Sequence, residues 1–205
     1  MQYSHDHFKH INRYWDTKNN HYAAKIKPGE FYVSFNGELI TTILGSCVSV
    51  CVRETRLGIG GMNHIMLPDA DRYNRWDNSP ASLDARYGNI AMERLINFIL
   101  SHGGKRENLE IKVFGGATLF NFIEQVGTKN IEFVKLYLLK EGFKISNEDV
   151  GGRRPRKIHF YSSTGRVRVK ELANLHNQTL YEREREYLVQ VMKNTNTGNI
   201  ELFDK

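Results

Sequence analysis

The sequence predicts an α/β (α+β) protein, a layered mixed β-sheet core flanked by helices. Three observations point there. Short β-rich runs cut by glycine and asparagine turns fill residues 31–67, apolar residues recur at threes and fours from Tyr87, and β-rich runs return at 109–114 and 157–170. The chain has 205 residues with 40% hydrophobic content, and 29 Lys and Arg against 23 Asp and Glu leave a formal charge of +6. That length suits one domain with extensions, and the composition excludes a disordered, collagen-like or coiled-coil chain.

Residues 1–25 carry His5, His7, His10 and His21 with Tyr3, Tyr14 and Trp15 and show no sustained period, so an irregular N-terminal arm is expected there. Pro28-Gly29 opens the main domain, 26–170. Phe31 to Phe35 reads as a strand, and Asn36-Gly37 before Leu39 predicts a hairpin. Leu39 to Val52 reads as strand, break and strand, interrupted at Gly45-Ser46. Gly58, Gly60 and Gly61 precede Ile65-Met66-Leu67, Pro68 stops that run, and 69–84 reads as a loop. Tyr87, Ile90, Ala91, Leu95, Phe98 and Ile99 then define an amphipathic helix ending at Gly103-Gly104. Leu109 to Phe114 is a strand, Asn130 to Leu139 a second helix, and Lys157–Tyr161 with Arg166–Lys170 a hairpin turning at Ser163-Thr164-Gly165. Residues 171–205 are expected to form a helical C-terminal extension, with Leu180, Leu188, Val191 and Met192 among alternating Glu and Arg.

The stretch from Thr41 to His64 is the richest in chemistry. A catalytic cysteine needs a base and small neighbours that let substrate approach its backbone, and Cys47 follows Gly45 and Ser46. His64 ends a glycine-rich approach that a second strand would carry alongside. Strand alternation puts Thr41, Gly45 and Cys47 on one face and turns Thr42 away, so Thr41 is the expected partner of His64 unless a bulge at Gly45 shifts the phase. The competing reading is structural: free cysteines are commonly buried core residues, and Cys51 keeps that assignment.

Cys47 and Cys51 lie four apart and make no two tight pairs of the Cys-x2-Cys kind that structural zinc sites use, so no metal is expected. Gly58-Ile59-Gly60-Gly61 lacks the pattern of a phosphate-binding loop, and close backbone packing is the better reason for it. Arg153, Arg154, Arg156 and Lys157 form a basic run that suits a solvated face or an acidic partner, and no interleaved aromatics mark it for nucleic acid. Two cysteines without a disulfide framework fit a reducing compartment, and no apolar run approaches the roughly 20 residues of a membrane helix. A cytoplasmic protein without membrane insertion is expected.

Five blocks in order resemble the chemoreceptor glutamine deamidase (CheD) family of bacterial chemotaxis, in its longer proteobacterial form. They are Leu44-Gly45-Ser46-Cys47-Val48, Gly60-Gly61-Met62-Asn63-His64 with Met66-Leu67-Pro68, Val113-Phe114-Gly115-Gly116-Ala117, Asn130-Ile131-Glu132-Phe133, and Gly151-Gly152-Arg153-Arg154-Pro155-Arg156-Lys157. Asn12 to Asp16 is similar to the arm of the longer members. One departure is Lys129, where the family pattern has arginine and its bidentate geometry.

The resemblance implies a cysteine hydrolase that converts glutamines of methyl-accepting chemoreceptors to glutamate and also acts on receptor glutamyl methyl esters. It puts the family's catalytic Cys, His and Thr on Cys47, His64 and Thr41. Gly45 and Ser46 would shape the nucleophile loop and oxyanion hole, with no cofactor required. The implied partners are receptor cytoplasmic domains, met through Arg153, Arg154, Arg156 and Lys157, and in some bacteria a CheC-like phosphatase. The reading from another class is a non-catalytic chemotaxis adaptor using the same surface.

Overall fold

A computed structural model describes residues 7–67, 83–118 and 124–173, together with positions 182 and 186. Ten strands are assigned: β1 (Asn12–Asp16), β2 (His21–Lys25), β3 (Phe31–Ser34), β4 (Leu39–Leu44), β5 (Val48–Glu54), β6 (Ile59–Asn63), β7 (Leu109–Gly115), β8 (Ile145–Val150), β9 (Arg156–Tyr161) and β10 (Arg166–Glu171). The two long helices among the described residues are α1 (Leu83–Ser101) and α2 (Glu124–Lys140). The strands form two five-stranded mixed sheets, sheet A in the order β1-β2-β4-β9-β10 and sheet B in the order β3-β6-β5-β7-β8.

The layers follow from which faces are apolar. β5 is buried at every position except Arg53, as a strand covered on both faces must be. α1 packs on β3, β5 and β6, and α2 packs on β5 and α1, so the helices cover sheet B while sheet A covers its other face. Two adjacent glycines of β6 show how tight this is. A Cβ on Gly60 would fall 2.4 Å from the Ser162 carbonyl at the end of β9, and one on Gly61 would fall 2.6 Å from Leu95 of α1. The shared core joins Ile40, Leu44, Ile158 and Phe160 of sheet A to Val50, Val52, Met62, Ile111 and Val113 of sheet B and to Met92, Leu95 and Ile99 of α1. Each such side chain, fully buried, contributes about 1.5–3 kcal/mol of transfer free energy.

The expected layered α/β architecture is present, with five differences in detail. Residues 12–25, expected as an irregular arm, form the β1–β2 hairpin, in which Asn12 faces Lys25 and Asp16 faces His21. β2 then pairs in parallel with β4, completing sheet A. These residues alternate poorly because β1 is an exposed edge. The Asn36-Gly37 turn, with Gly37 at φ +76°, does not close a hairpin but carries the chain from sheet B to sheet A, β3 pairing with β6 instead. β8 went unread: Ile145 to Val150 holds four exposed polar residues, and its strand conformation comes from parallel pairing with β7 across α2. α2 begins at Glu124, earlier than Asn130. The helix expected from Tyr87 begins earlier, at Leu83, so the last two residues of the loop expected over 69–84 are helical; the expected β9–β10 hairpin forms as read. Residues 69–82 of the expected 69–84 loop lie outside the described residues, and so does the C-terminal extension beyond 173 apart from Glu182 and Glu186, both helical.

Candidate active site

β4 is the central strand of sheet A and β5 the central strand of sheet B, so Gly45-Ser46-Cys47 is the crossing between the two layers. Each of its carbonyls is anchored. The Ala117 N–H donates to Gly45 O (2.7 Å), the Asn130 side-chain amide to Ser46 O (2.9 Å), and the Gly116 N–H to Cys47 O (2.7 Å). Only glycine serves at 115 and 116. Their φ values are +109° and +71°, and a Cβ on Gly115 would meet the Cys47 carbonyl at 2.3 Å.

His64 follows β6 immediately. Its backbone extends the β3 side of the sheet, the N–H donating to Glu30 O and the C=O accepting from Gly29 N, both at 2.9 Å. On the β5 side the ladder is interrupted where the Asn63 side chain takes the Val50 N–H (2.8 Å), and it resumes as a two-bond bridge between Val48 and Ile65. That bridge keeps the β5–β6 register, in which Cys51 faces Met62. Cys47 and His64 therefore flank that bridge in diagonal positions on adjacent strands.

The histidine's tautomer is set from behind. Thr42 Oγ1 lies 2.8 Å from His64 Nδ1 and 2.9 Å from the Ile26 carbonyl. A hydroxyl has one proton and a carbonyl can only accept, so Thr42 donates to Ile26 and accepts from Nδ1–H. Nε2 then carries the lone pair. It is buried and has no hydrogen-bond partner. Burial pushes the His64 pKa down to about 3, so the ring is neutral across the physiological range.

The structure brings Thr42, rather than Thr41, to His64. Thr41 Oγ1 is buried without a hydrogen-bond partner. Alternation between 41 and 47 fails because it holds only within one strand, and here one strand ends at Leu44 and another, in a different sheet, begins at Val48. The basic run also divides. Arg153 and Arg154 are exposed and Lys157 half-buried, but Arg156 is buried, donating to the Asp149 carboxylate and carbonyl, both at 2.6 Å, and to Gly151 O. Arg156 is an internal tie between β8 and β9 and leaves the candidate partner surface. Gly151 and Gly152 bond Gly115 and Thr118, so Arg153 and Arg154 stand next to the strand end that holds the Cys47 turn. Cys51 is buried and its thiol is pushed up by desolvation, as a core residue.

Asn130 was not read as part of the site. It is fully buried on α2, donating to Ser46 O and accepting the Leu67 N–H at 3.0 Å. The available signal was a polar residue within the row Val126, Asn130, Val134, Leu138, all buried at helical spacing.

Residues 66–171 match the family model described as CheD chemotactic sensory transduction. A protein of Halorhodospira halophila named probable chemoreceptor glutamine deamidase CheD is 48% identical over 197 residues, 96% of this chain and 91% of that one. Proteins of the same name from Hahella chejuensis and Herminiimonas arsenicoxydans are each 47% identical, covering 96% and 98% of this chain and 92% and 98% of their own lengths. The chain belongs to the CheD family. The family-model match begins after His64, whereas the full-length relatives span Cys47 and His64 as well. No helix among the described residues is long and apolar enough to cross a membrane.

Proposed function

We propose that the chain hydrolyses the side-chain amide of glutamines on methyl-accepting chemoreceptors to glutamate, with Cys47 as nucleophile, His64 as general base and acid, and Thr42 as the residue that orients His64. One observation carries the mechanism: Thr42 accepts the Nδ1–H hydrogen bond and so leaves the lone pair on Nε2 of a histidine that flanks the same strand bridge as Cys47. Membership of the CheD family supports the substrate class. Nε2 accepts the thiol proton as Sγ bonds the carboxamide carbon, and charge develops on the carbonyl oxygen. Backbone N–H groups at Ser46 and Cys47 supply the oxyanion contacts, worth about 3 kcal/mol per donor. Nε2–H protonates the departing nitrogen, the C–N bond breaks and ammonia leaves. A water, deprotonated by Nε2, attacks the thioester, and the thiol and the glutamate carboxylate are released.

A threonine hydroxyl in the orienting position holds the tautomer without burying a charge. The same sequence with methanol as leaving group would hydrolyse a receptor glutamyl methyl ester. The reaction takes place in the cytoplasm, where Arg153 and Arg154 meet acidic surface beside the substrate glutamine. Charge reversal at either arginine is expected to raise KM and leave kcat. A pure adaptor would have no use for a buried imidazole with a fixed tautomer. Mass spectrometry of a receptor cytoplasmic fragment tests the reading: glutamines should gain about one dalton, NH2 replaced by OH, with the wild-type protein and not with Cys47→Ala. No gain in any receptor fragment, with binding intact, overturns it in favour of the adaptor.

A further inference from the structure

We propose that Asn130 is a positioning residue for amide hydrolysis, orienting the Ser46–Cys47 peptide that faces the developing oxyanion. The inference rests on the deamidase reading and deepens it. A peptide unit is planar and trans, so its C=O and N–H point in opposite directions, and holding one aims the other. Asn130 Nδ2 holds the Ser46 carbonyl at 2.9 Å and thereby sets the direction of the Cys47 N–H. The neighbouring peptides are held by backbone donors, Ala117 N–H on Gly45 O and Gly116 N–H on Cys47 O, both at 2.7 Å. The middle one is held by a side chain.

The other end of the same amide accepts the Leu67 N–H at 3.0 Å, three residues beyond His64. Asn130 thus joins the turn bearing the nucleophile to the segment bearing the base. A primary amide can do both, since it carries a donor and an acceptor on one planar group. Its setting agrees: it is fully buried between Val126 and Val134 in the apolar row of α2, where packing alone would select another aliphatic side chain.

The test uses the full chain with Asn130→Asp and Asn130→Ser, and Leu138→Ala as a control. Asn130→Asp keeps the acceptor for Leu67 but sets a carboxylate against Ser46 O. Asn130→Ser loses the reach to Ser46 without adding charge, and it decides the matter where the aspartate variant melts. Leu138→Ala opens a cavity on the same helix away from the turn. Each is assayed for kcat and KM on a receptor cytoplasmic fragment and for Cys47 alkylation by iodoacetamide against pH, a reaction that needs the thiolate but no oxyanion contact. The Asn130 variants should lose kcat by about 30-fold or more, with KM within about threefold and the alkylation profile unchanged. Leu138→Ala should melt earlier yet keep kcat within about twofold.

Unchanged kcat in the Asn130 variants overturns the inference. So does a parallel fall in kcat and alkylation, or a comparable loss of kcat in Leu138→Ala, because either marks a merely structural role. Wild-type protein that alkylates normally but deamidates no receptor glutamine removes the deamidase reading itself, and this inference with it.

Discussion

Two adjacent threonines with the same chemistry have opposite fates in this fold. Thr42 bridges Ile26 O and His64 Nδ1, whereas the Thr41 hydroxyl is buried without a partner. Thr42→Val should lower kcat at least about tenfold, because Nδ1–H loses its acceptor and the proton can move to Nε2. Thr41→Val replaces an unsatisfied hydroxyl with a methyl and should raise stability by about 1 kcal/mol with little change in kcat. A larger activity loss from Thr41→Val would return the orienting role to the position that the family resemblance implies.

His64 also ties stability to pH. Its folded pKa, about 3, lies below the unfolded value near 6.5, so above pH 6.5 both states are neutral there and no stability is lost. Below it the unfolded chain takes up a proton that the folded chain refuses, and stability falls by about 1.4 kcal/mol per pH unit toward the folded pKa. Urea midpoints of wild type should drop over that window, and His64→Gln should lack this share of the slope.

Among the elements, α2 is held to the site by backbone proximity as well as by Asn130. A Cβ on Gly127 would lie 2.6 Å from Gly116 O and 2.9 Å from Ala117 O, so no larger residue allows the helix to meet the end of β7. Gly127→Ala should cost about 2–3 kcal/mol and slow deamidation, since the helix must withdraw and take Asn130 with it. Gly142→Ala is the contrast: φ is +71° but nothing lies within 4 Å of the added Cβ, so the cost is backbone strain alone, about 1 kcal/mol, with activity retained. Thermal melts paired with the mass assay separate the two. β9 and β10 were legible from alternating apolar residues around a glycine turn. β8 was not, because an exposed polar edge strand owes its conformation to the β7 backbone beside it.

For the molecule as a whole, the N-terminal hairpin is part of the folded unit. Glu38 is nearly buried and takes Arg13 Nε at 2.9 Å and Nη2 at 2.5 Å, together with the Tyr32 hydroxyl, so β1 and the turn between the sheets share one carboxylate. The Tyr32 hydroxyl is pushed upward by burial and then by Glu38. Arg13→Ala should destabilise by about 2 kcal/mol, less than for a fully buried pair because Arg13 is one-third exposed, and Glu38→Gln on that background should recover part of it. A melt of the two variants and the double variant measures the coupling. An additive double variant would show that the hairpin is not tied to the core through this pair.

By itself the sequence determined the class of fold and the two residues around which a site could be built. Apolar spacing along single helices and strands is a local property, and Gly45-Ser46-Cys47 and Gly60 to His64 carry their chemistry in consecutive positions. The tertiary structure decided which threonine meets His64, that Arg156 is sequestered by Asp149, and that Asn130 reaches two segments distant in sequence. The physical reason is common to all three. Side-chain direction carries along a continuous strand, but the chain changes sheets at 45–47, and beyond that crossing direction depends on packing between layers that no local pattern encodes.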